Sequence, residues 1–210
     1  MSSRIQEYRY KTEKGPGYYR AYERRFAALK EQPIKLLELG IAHGGSLELW
    51  RDYFPNGTIV GLDHVLPILQ GASERIHMYA GAQQDIALLD RIGVECAPEG
   101  FDIIIDDASH KADDARTSFR HLLQHHLKSG GLYVIEDWGT GYWGYWPDGK
   151  SYDGTNHLAG MVGFIKELVD EVGSVDHLSD NNPSTMAKPS QIATLELRQG
   201  MAFIRKAEVP

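Results

Sequence analysis

Ile34-Lys35-Leu36-Leu37-Glu38-Leu39-Gly40-Ile41-Ala42-His43-Gly44-Gly45-Ser46 passes from a short apolar run to a cluster of small residues. The run has the length of a strand. The small residues let the backbone turn tightly and let a ligand approach the start of the helical stretch near 46–53. Upstream, Tyr19, Tyr22, Phe26 and Leu29 recur at helical spacing within 19–31, and Pro33 ends that helix. Downstream, four more short apolar runs follow: Thr58–Leu62, Arg75–Ala80, Phe101–Ile105 and Leu132–Ile135. Helical stretches near 84–92 and 111–127 fall between them. Strands alternating with helices mean βαβ units and a parallel sheet. Ile103-Ile104-Ile105 shows no polar alternation, as expected of a strand covered on both faces.

The chain closes differently. A helix fits Leu158–Val172. Ala193–Arg198 and Met201–Lys206 then face each other across Gln199-Gly200, which predicts an antiparallel hairpin. The expected fold is α/β: a seven-stranded, mostly parallel, Rossmann-like sheet of the class I methyltransferase kind with a C-terminal antiparallel hairpin. Residues 1–32 read as an N-terminal helical segment or lid, and 33–210 as the main domain. Two stretches read as loops, 138–156 rich in Trp, Tyr and Gly, and 179–190, polar with two prolines.

Composition bounds the function. At 210 residues, 42% hydrophobic and 24% charged, the chain is ordinary globular material of one domain's size. Lys plus Arg is 22 against 29 Asp plus Glu, a formal charge of −7, which disfavours sequence-independent binding to nucleic acid. The one cysteine, Cys96, excludes an intrachain disulfide and a cysteine-ligated zinc site. No apolar run has the length of a membrane span, and Met1-Ser2-Ser3-Arg4 opens no signal core. A soluble cytoplasmic protein without a membrane partner is expected.

The second strand leads to Asp63, placed to accept both ribose hydroxyls of a nucleoside. Gly40, Ala42 and Gly45 also fit a loose dinucleotide fingerprint, and a plain turn with Asp63 as a helix cap fits as well. Glu38 favours S-adenosylmethionine over NAD, because a carboxylate there suits a cationic amino-acid group and repels a pyrophosphate. Gln83 and Asp85 follow the third strand, where an adenine is read. Asp106-Asp107 and Glu136-Asp137 end strands that neighbour each other in a sheet wound 3-2-1-4-5, so their carboxylates open into one crevice. Such a cluster raises its own pKa values or takes a hard cation, Mg²⁺ or Mn²⁺ in its place. His110 lies three residues past Asp107, where an imidazole reaches a hydroxyl held near the metal and serves as base. Of the other histidines none is expected as a ligand; His121, His125 and His126 read as helix surface, and His43 sits in the cofactor loop. Trp138, Tyr142, Trp143, Tyr145, Trp146 and Tyr152 crowd the stretch after the acid cluster. They suit the face of a sugar or aglycone, or a lid packed on its own protein or a partner.

These motifs together resemble the sugar O-methyltransferases of macrolide-type antibiotic biosynthesis, the mycinamicin and macrocin family, and more distantly the cephalosporin-hydroxylase-like group. The resemblance is carried by Thr12-Glu13-Lys14, Tyr22–Phe26, Leu37–Ile41, Trp50–Pro55, Gly61–Asp63, Phe101–His110, Gly130–Asp137 and Thr140–Trp143. It implies S-adenosylmethionine and Mg²⁺. It also implies Asp107, Glu136 and Asp137 as metal ligands, His110 as catalytic base, and Asp106 in a structural or cofactor-facing place. Thr12, Glu38, Gly40, Ser46, Asp63, Gln83 and Asp85 fall on the cofactor side, and Trp138, Tyr142 and Trp143 on the substrate side. The acceptor would be a hydroxyl of a deoxysugar on a glycosylated natural product, with a homo-oligomer, dimer or tetramer, as the assembly. The chain departs from the family at Ala82, where Asp is usual, and at Ala108, where Gly is usual. The mycinamicin enzyme carries a large N-terminal domain outside the matched region. Phenol or catechol O-methylation, an NAD-binding oxidoreductase and a non-enzymatic S-adenosylmethionine-binding protein are the alternatives.

Overall fold

The computed structural model describes residues 10–69, 71, 73–174 and 190–208. The loop expected at 179–190 lies outside them except for Ser190. Helix α1 spans Pro16–Phe26; the fixed φ of Pro16 suits the first helical position, and Arg24 and Arg25 sit in the last turn, where the helix dipole favours cations. It starts three residues earlier than periodicity suggests and closes in a single 3-10 turn, Ala27–Leu29. Then follow β1 (Lys35–Leu39), α2 (Gly45–Tyr53), β2 (Thr58–Asp63), β3 (Ile76–Ala80), α3 (Ile86–Cys96) and β4 (Phe101–Asp106). The chain continues through α4 (Ala112–His125), β5 (Leu127–Glu136), α5 (Gly160–Ser174), β6 (Ile192–Arg198) and β7 (Met201–Lys206).

The seven strands form one sheet in the order β3-β2-β1-β4-β5-β7-β6. The first five pair in parallel, and β7 joins antiparallel to both β5 and β6. This is the expected topology, terminal hairpin included. The main boundary difference is β5, which begins at Leu127 rather than Leu132. Its register against β4 slips between Phe101 and Ile103, and Gly130 at φ 69° takes up the extra residues.

Successive strand residues point to opposite faces, so the pleat sorts the core into two layers. Leu37, Leu39, Ile104, Tyr133 and Ile135 pack with α3, α4 and α5. Leu36, Ile103, Ile105, Leu132 and Val134 pack with α1 and α2. In the second layer Trp50 of α2 meets Tyr22 and Phe26 of α1 edge-on, with centroids 5.0 and 5.5 Å apart. The described part of the 1–32 segment is therefore anchored in the core through α1.

The strand ends are stitched together. Gly40 N–H donates to Leu62 O at 2.8 Å, and Asp107 N–H donates to Leu39 O at 2.8 Å. The resulting approach leaves no room beside Gly40, whose φ is 81°: a Cβ there would lie 2.2 Å from Asp107 O. We expect Gly40→Ala to lower stability in urea unfolding by at least about 2 kcal/mol, from the clash and the left-handed backbone together. Gly17→Ala, in an open position on α1, should raise it by about 0.5–1 kcal/mol.

Candidate active site

A cavity of about 460 Å³ opens at the carboxyl ends of β1, β2, β4 and β5, where the strand order reverses between β1 and β4. The 40–43 turn and Asp63 form one side, Asp107–His110 and Glu136-Asp137 the other, and residues 11–15 run along it. The pleat decides what faces what. Glu38 shares the parity of Leu36, Asp107 that of Ile105, and Glu136 that of Val134, so all three turn toward the α1 layer. There they meet Lys14. Its Nζ lies 2.6 Å from Asp107 Oδ2, 2.6 Å from Glu136 Oε1 and 3.3 Å from Glu38 Oε1, with 5% of its side chain exposed.

One ammonium thus serves three carboxylates. Burial pushes the Lys14 pKa down, but Glu136, Asp107 and Glu38 together push it well above its ordinary value. Burial and then the charge of Asp107 push Glu136 up to about 8, while Lys14 and a hydrogen bond from Tyr22 pull the other way. Glu38 is raised by burial, with Lys14 opposing. It is fully enclosed, is not among the residues lining the cavity, and the cation it faces is Lys14.

Asp107 spans two environments. Its Oδ1 lies 3.8 Å from His110 Nε2, which is 3.9 Å from Asp137 Oδ2, so Asp107, His110 and Asp137 converge on the cavity side. The expected trio of Asp107, Glu136 and Asp137 is not grouped this way. Glu136 ends β5 and turns inward to Lys14 and Tyr22. Asp137 leaves the strand at φ 51°, and its Oδ1 accepts a hydrogen bond from Tyr18. The part-exposed oxygen donors of Asp107 and Asp137 suit a hard divalent cation with room for water oxygens.

His110 is held by its backbone. Its carbonyl accepts from Thr140 Oγ1 at 3.2 Å and from Trp146 Nε1 at 3.0 Å, and its φ is 50°. Among the described residues, the non-glycines with left-handed backbone are Ala42, His110 and Asp137, and all three line this cavity. Such conformations persist where surrounding contacts impose them, and they cluster at functional sites.

The remaining expected residues divide. Thr12, Gly40, Ser46 and Asp63 line the cavity. Asp63 also fastens the turn: Oδ2 accepts from Ile41 and Ala42 N–H, and Oδ1 accepts from His64 N–H, leaving one lone pair on Oδ1. Gln83 lines the cavity, but its carboxamide is engaged with Asp106, Ser118 and Ser109 N–H. Asp85 is not among the lining residues. It caps α3 by accepting from Leu88 N–H at 3.1 Å. Asp106, of opposite parity to Asp107, is buried with Gln83, Ser118 and Tyr133, and burial pushes it up to about 6. Trp138 pins its turn to the hairpin through Nε1–H to Arg198 O at 3.0 Å and lines neither cavity of this region. Tyr142 and Trp143 line a second cavity, of about 600 Å³, that shares Gly15, Tyr18 and Asp137 with the first. Tyr18 was not named from sequence, Lys14 and Thr140 stood there only within longer motifs, and Trp146, expected to face a sugar or to pack as a lid, instead donates to the His110 carbonyl. A buried acid cluster demands a cation, and that demand was the available pointer to Lys14.

No family model matches the chain. The chain is 36% identical over 195 residues to mycinamicin VI 2''-O-methyltransferase of Micromonospora griseorubida, covering 88% of this chain and 47% of that protein. It is 41% identical over 159 residues to a tetracenomycin 3'-O-methyltransferase acting on a methoxyrhamnosyl compound, from Streptomyces olivaceus, covering 72% and 39%. The solved structure of MycE, the methyltransferase from the mycinamycin pathway in complex with Mg and SAH, superposes with a TM-score of 0.76 at 35% identity, covering 91% of this chain and 50% of that one. Homologues of this chain are sugar O-methyltransferases. The fold is that of the class I methyltransferases, and the chain spans about half the length of the curated relatives it matches. Among the described residues, no helix is long and apolar enough to cross a membrane.

Two measurements probe how this methyltransferase fold carries its buried charges. Lys14→Met leaves the buried Glu38 and Glu136 and the part-exposed Asp107 without their cation, and urea unfolding in chelator should show a loss of about 3–5 kcal/mol. Asp106 binds its proton more tightly folded than unfolded, so its contribution is present at low pH and declines as pH rises from about 4 to about 6. Asp106→Asn should flatten that part of the stability profile, by up to about 3 kcal/mol.

Proposed function

We propose that the chain transfers a methyl group from S-adenosylmethionine to a hydroxyl of a sugar on a glycosylated natural product. The observation that carries this reading is the convergence of Asp107, His110 and Asp137 at the junction of two cavities, in a chain homologous to enzymes named for that reaction. The MycE structure with Mg, SAH and mycinamycin VI, at a TM-score of 0.73 and 33% identity, supports the same assignment. The donor occupies the first cavity, with its ribose at the remaining lone pair of Asp63 and its backbone-facing side along the turn that starts at Gly40. The acceptor enters from the second cavity, past Tyr18, Tyr142 and Trp143. Trp143 and Tyr145 stack at 5.6 Å and are solvent-facing, which suits the apolar face of a sugar or aglycone.

Asp107 and Asp137 would hold a divalent cation, Mg²⁺ by analogy with MycE, and its charge would favour ionisation of the acceptor hydroxyl. Glu136, turned to Lys14, sets the charge behind them. His110 Nε2 accepts the hydroxyl proton as the oxygen attacks the methyl carbon; the carbon–sulfur bond breaks and S-adenosylhomocysteine leaves. Thr140 and Trp146 hold the His110 backbone, so the imidazole is placed before substrate arrives.

S-adenosylhomocysteine at about 100 times its Kd should stabilise the protein by about 2.7 kcal/mol, read as a Tm increase, while NAD should not. His110→Ala should keep S-adenosylhomocysteine affinity in calorimetry and lose about 10²–10⁴-fold in kcat on a glycosylated macrolide or anthracycline. Binding of NAD without S-adenosylhomocysteine would overturn the donor assignment, and turnover of catechols alone would overturn the acceptor class.

A further inference from the structure

Far from this cavity, three side chains meet at the amino end of β4. Asp90 projects from α3. His121 lies in the last two turns of α4, and His126 caps its end. Both imidazoles aim Nε2 at one oxygen: His121 Nε2 lies 2.7 Å and His126 Nε2 2.8 Å from Asp90 Oδ1. The sequence reading put these histidines on the helix surface. His125 is exposed, but His121 and His126 are turned in, with 14% and 13% of their side chains accessible.

The packing beneath them is shaped for this. Gly93 sits inside α3, where glycine costs helix stability. A Cβ at Gly93 would lie 2.2 Å from His126 Nδ1 and 2.5 Å from Cε1, so only glycine lets the ring lie against the helix. The carbonyl of His126 in turn accepts from Phe101 N–H at 2.7 Å, the first residue of β4. Ring and backbone are thus fixed from two sides, and the Nε2 edge is left facing Asp90.

We propose that Asp90, His121 and His126 form a second metal site, for a zinc-class transition ion, that ties α3 to the end of α4. Two imidazole nitrogens and one carboxylate suit Zn²⁺, Ni²⁺ or Cu²⁺ and not Mg²⁺, which distinguishes this set from the oxygen donors of the reaction site. The three ligand atoms lie within 4.8 Å of one another. Around a tetrahedral zinc, ligand atoms about 2.0–2.1 Å from the ion stand roughly 3.3 Å apart, so each imidazole moves out by about half an ångström when the ion replaces the shared protons. The carboxylate is about half exposed, which leaves a coordination position for water or for His125, whose ring centroid lies 5.0 Å from that of His121. Because none of Asp90, His121 and His126 lines the reaction cavity, the ion would stabilise the fold and leave the reaction unaltered.

The test is competition of the protein with a chromophoric zinc chelator in millimolar Mg²⁺, which occupies the oxygen-donor site. Wild type should take up one equivalent of Zn²⁺ with a Kd in the micromolar range or below and show a zinc-dependent rise in Tm. Asp90→Asn, His121→Gln and His126→Gln should each weaken binding by more than the roughly 10–100-fold that follows loss of an outer-sphere partner. Asp107→Asn should retain the equivalent. Should a variant fold poorly, carbethoxylation of the wild type with peptide mass spectrometry gives an independent reading: Zn²⁺ should protect His121 and His126 and leave the exposed His43 and His64 reactive. No zinc uptake in Mg²⁺, uptake lost with Asp107→Asn but kept in the three variants, or equal reactivity of all four histidines would each overturn the site.

Discussion

The ammonium of Lys14 is the interaction on which the site end of this fold depends. Glu38, next to last in β1, and Glu136, last in β5, turn to the same layer, and the turn after β4 adds a third carboxylate, Asp107. Two such charges 4 Å apart repel by about 4 kcal/mol at an effective dielectric constant of 20. The ends of β1 and β4 are nonetheless stitched by backbone hydrogen bonds, and Glu136 is buried beside them. Lys14 makes that convergence tolerable, and it comes from the segment ahead of α1 rather than from the sheet. Holding it in place requires α1, whose Tyr18 and Tyr22 donate to Asp137 and Glu136 while its aromatic face is locked against Trp50. The N-terminal segment is therefore part of the electrostatics of the site as well as of the core.

The two faces of β4 then perform different tasks at adjacent positions. Asp106 faces the α4 layer, where Gln83, Ser118 and Tyr133 surround it, and Gln83 Oε1 accepts from Ser109 N–H at 2.8 Å. This buried network fixes the turn that carries His110. Asp107 faces the opposite layer and the cavity. On the far side of the turn, Trp146 and Thr140 hold the His110 carbonyl, and Asp148 accepts from Ala112 N–H at 2.7 Å at the start of α4. Much of the aromatic loop is thus scaffold for one imidazole. Trp143, Tyr145 and Tyr152 are the rings left facing solvent.

Strand order and the position of the acid cluster were legible because both follow from short-range pattern. Each carboxylate sits at a strand end, and parallel neighbours bring strand ends together. What the pattern did not carry was direction. Whether Glu38 faces a ligand or the interior depends on which layer covers its face, and that layer is built by α1, distant in sequence. Asp85 was read for a ligand although its place just ahead of a helix fits the simpler role of a cap. Lys14 lies in an irregular stretch with no periodicity to betray it, and its role exists only once three strands have assembled. The turning-in of His121 and His126 likewise depends on a glycine on another helix.

Asp137 is where these constraints meet. It is the last acidic residue of the cluster, its backbone is left-handed, its N–H donates to Gly200 O in the β6–β7 turn at 2.6 Å, and its carboxylate accepts from Tyr18. It lines both cavities, as does Tyr18. A change at Asp137 therefore reaches α1 through Tyr18, the hairpin through Gly200 and His110 through the shared approach to Asp107. Burial and the Asp137 hydrogen bond both raise the Tyr18 pKa, so its hydroxyl remains a donor at neutral pH. The same hydroxyl lies 3.2 Å from Gly200 O, so the phenol ties Asp137 to the β6–β7 turn. Helix α1, the acid cluster and the terminal hairpin are in this way joined through one carboxylate and one tyrosine.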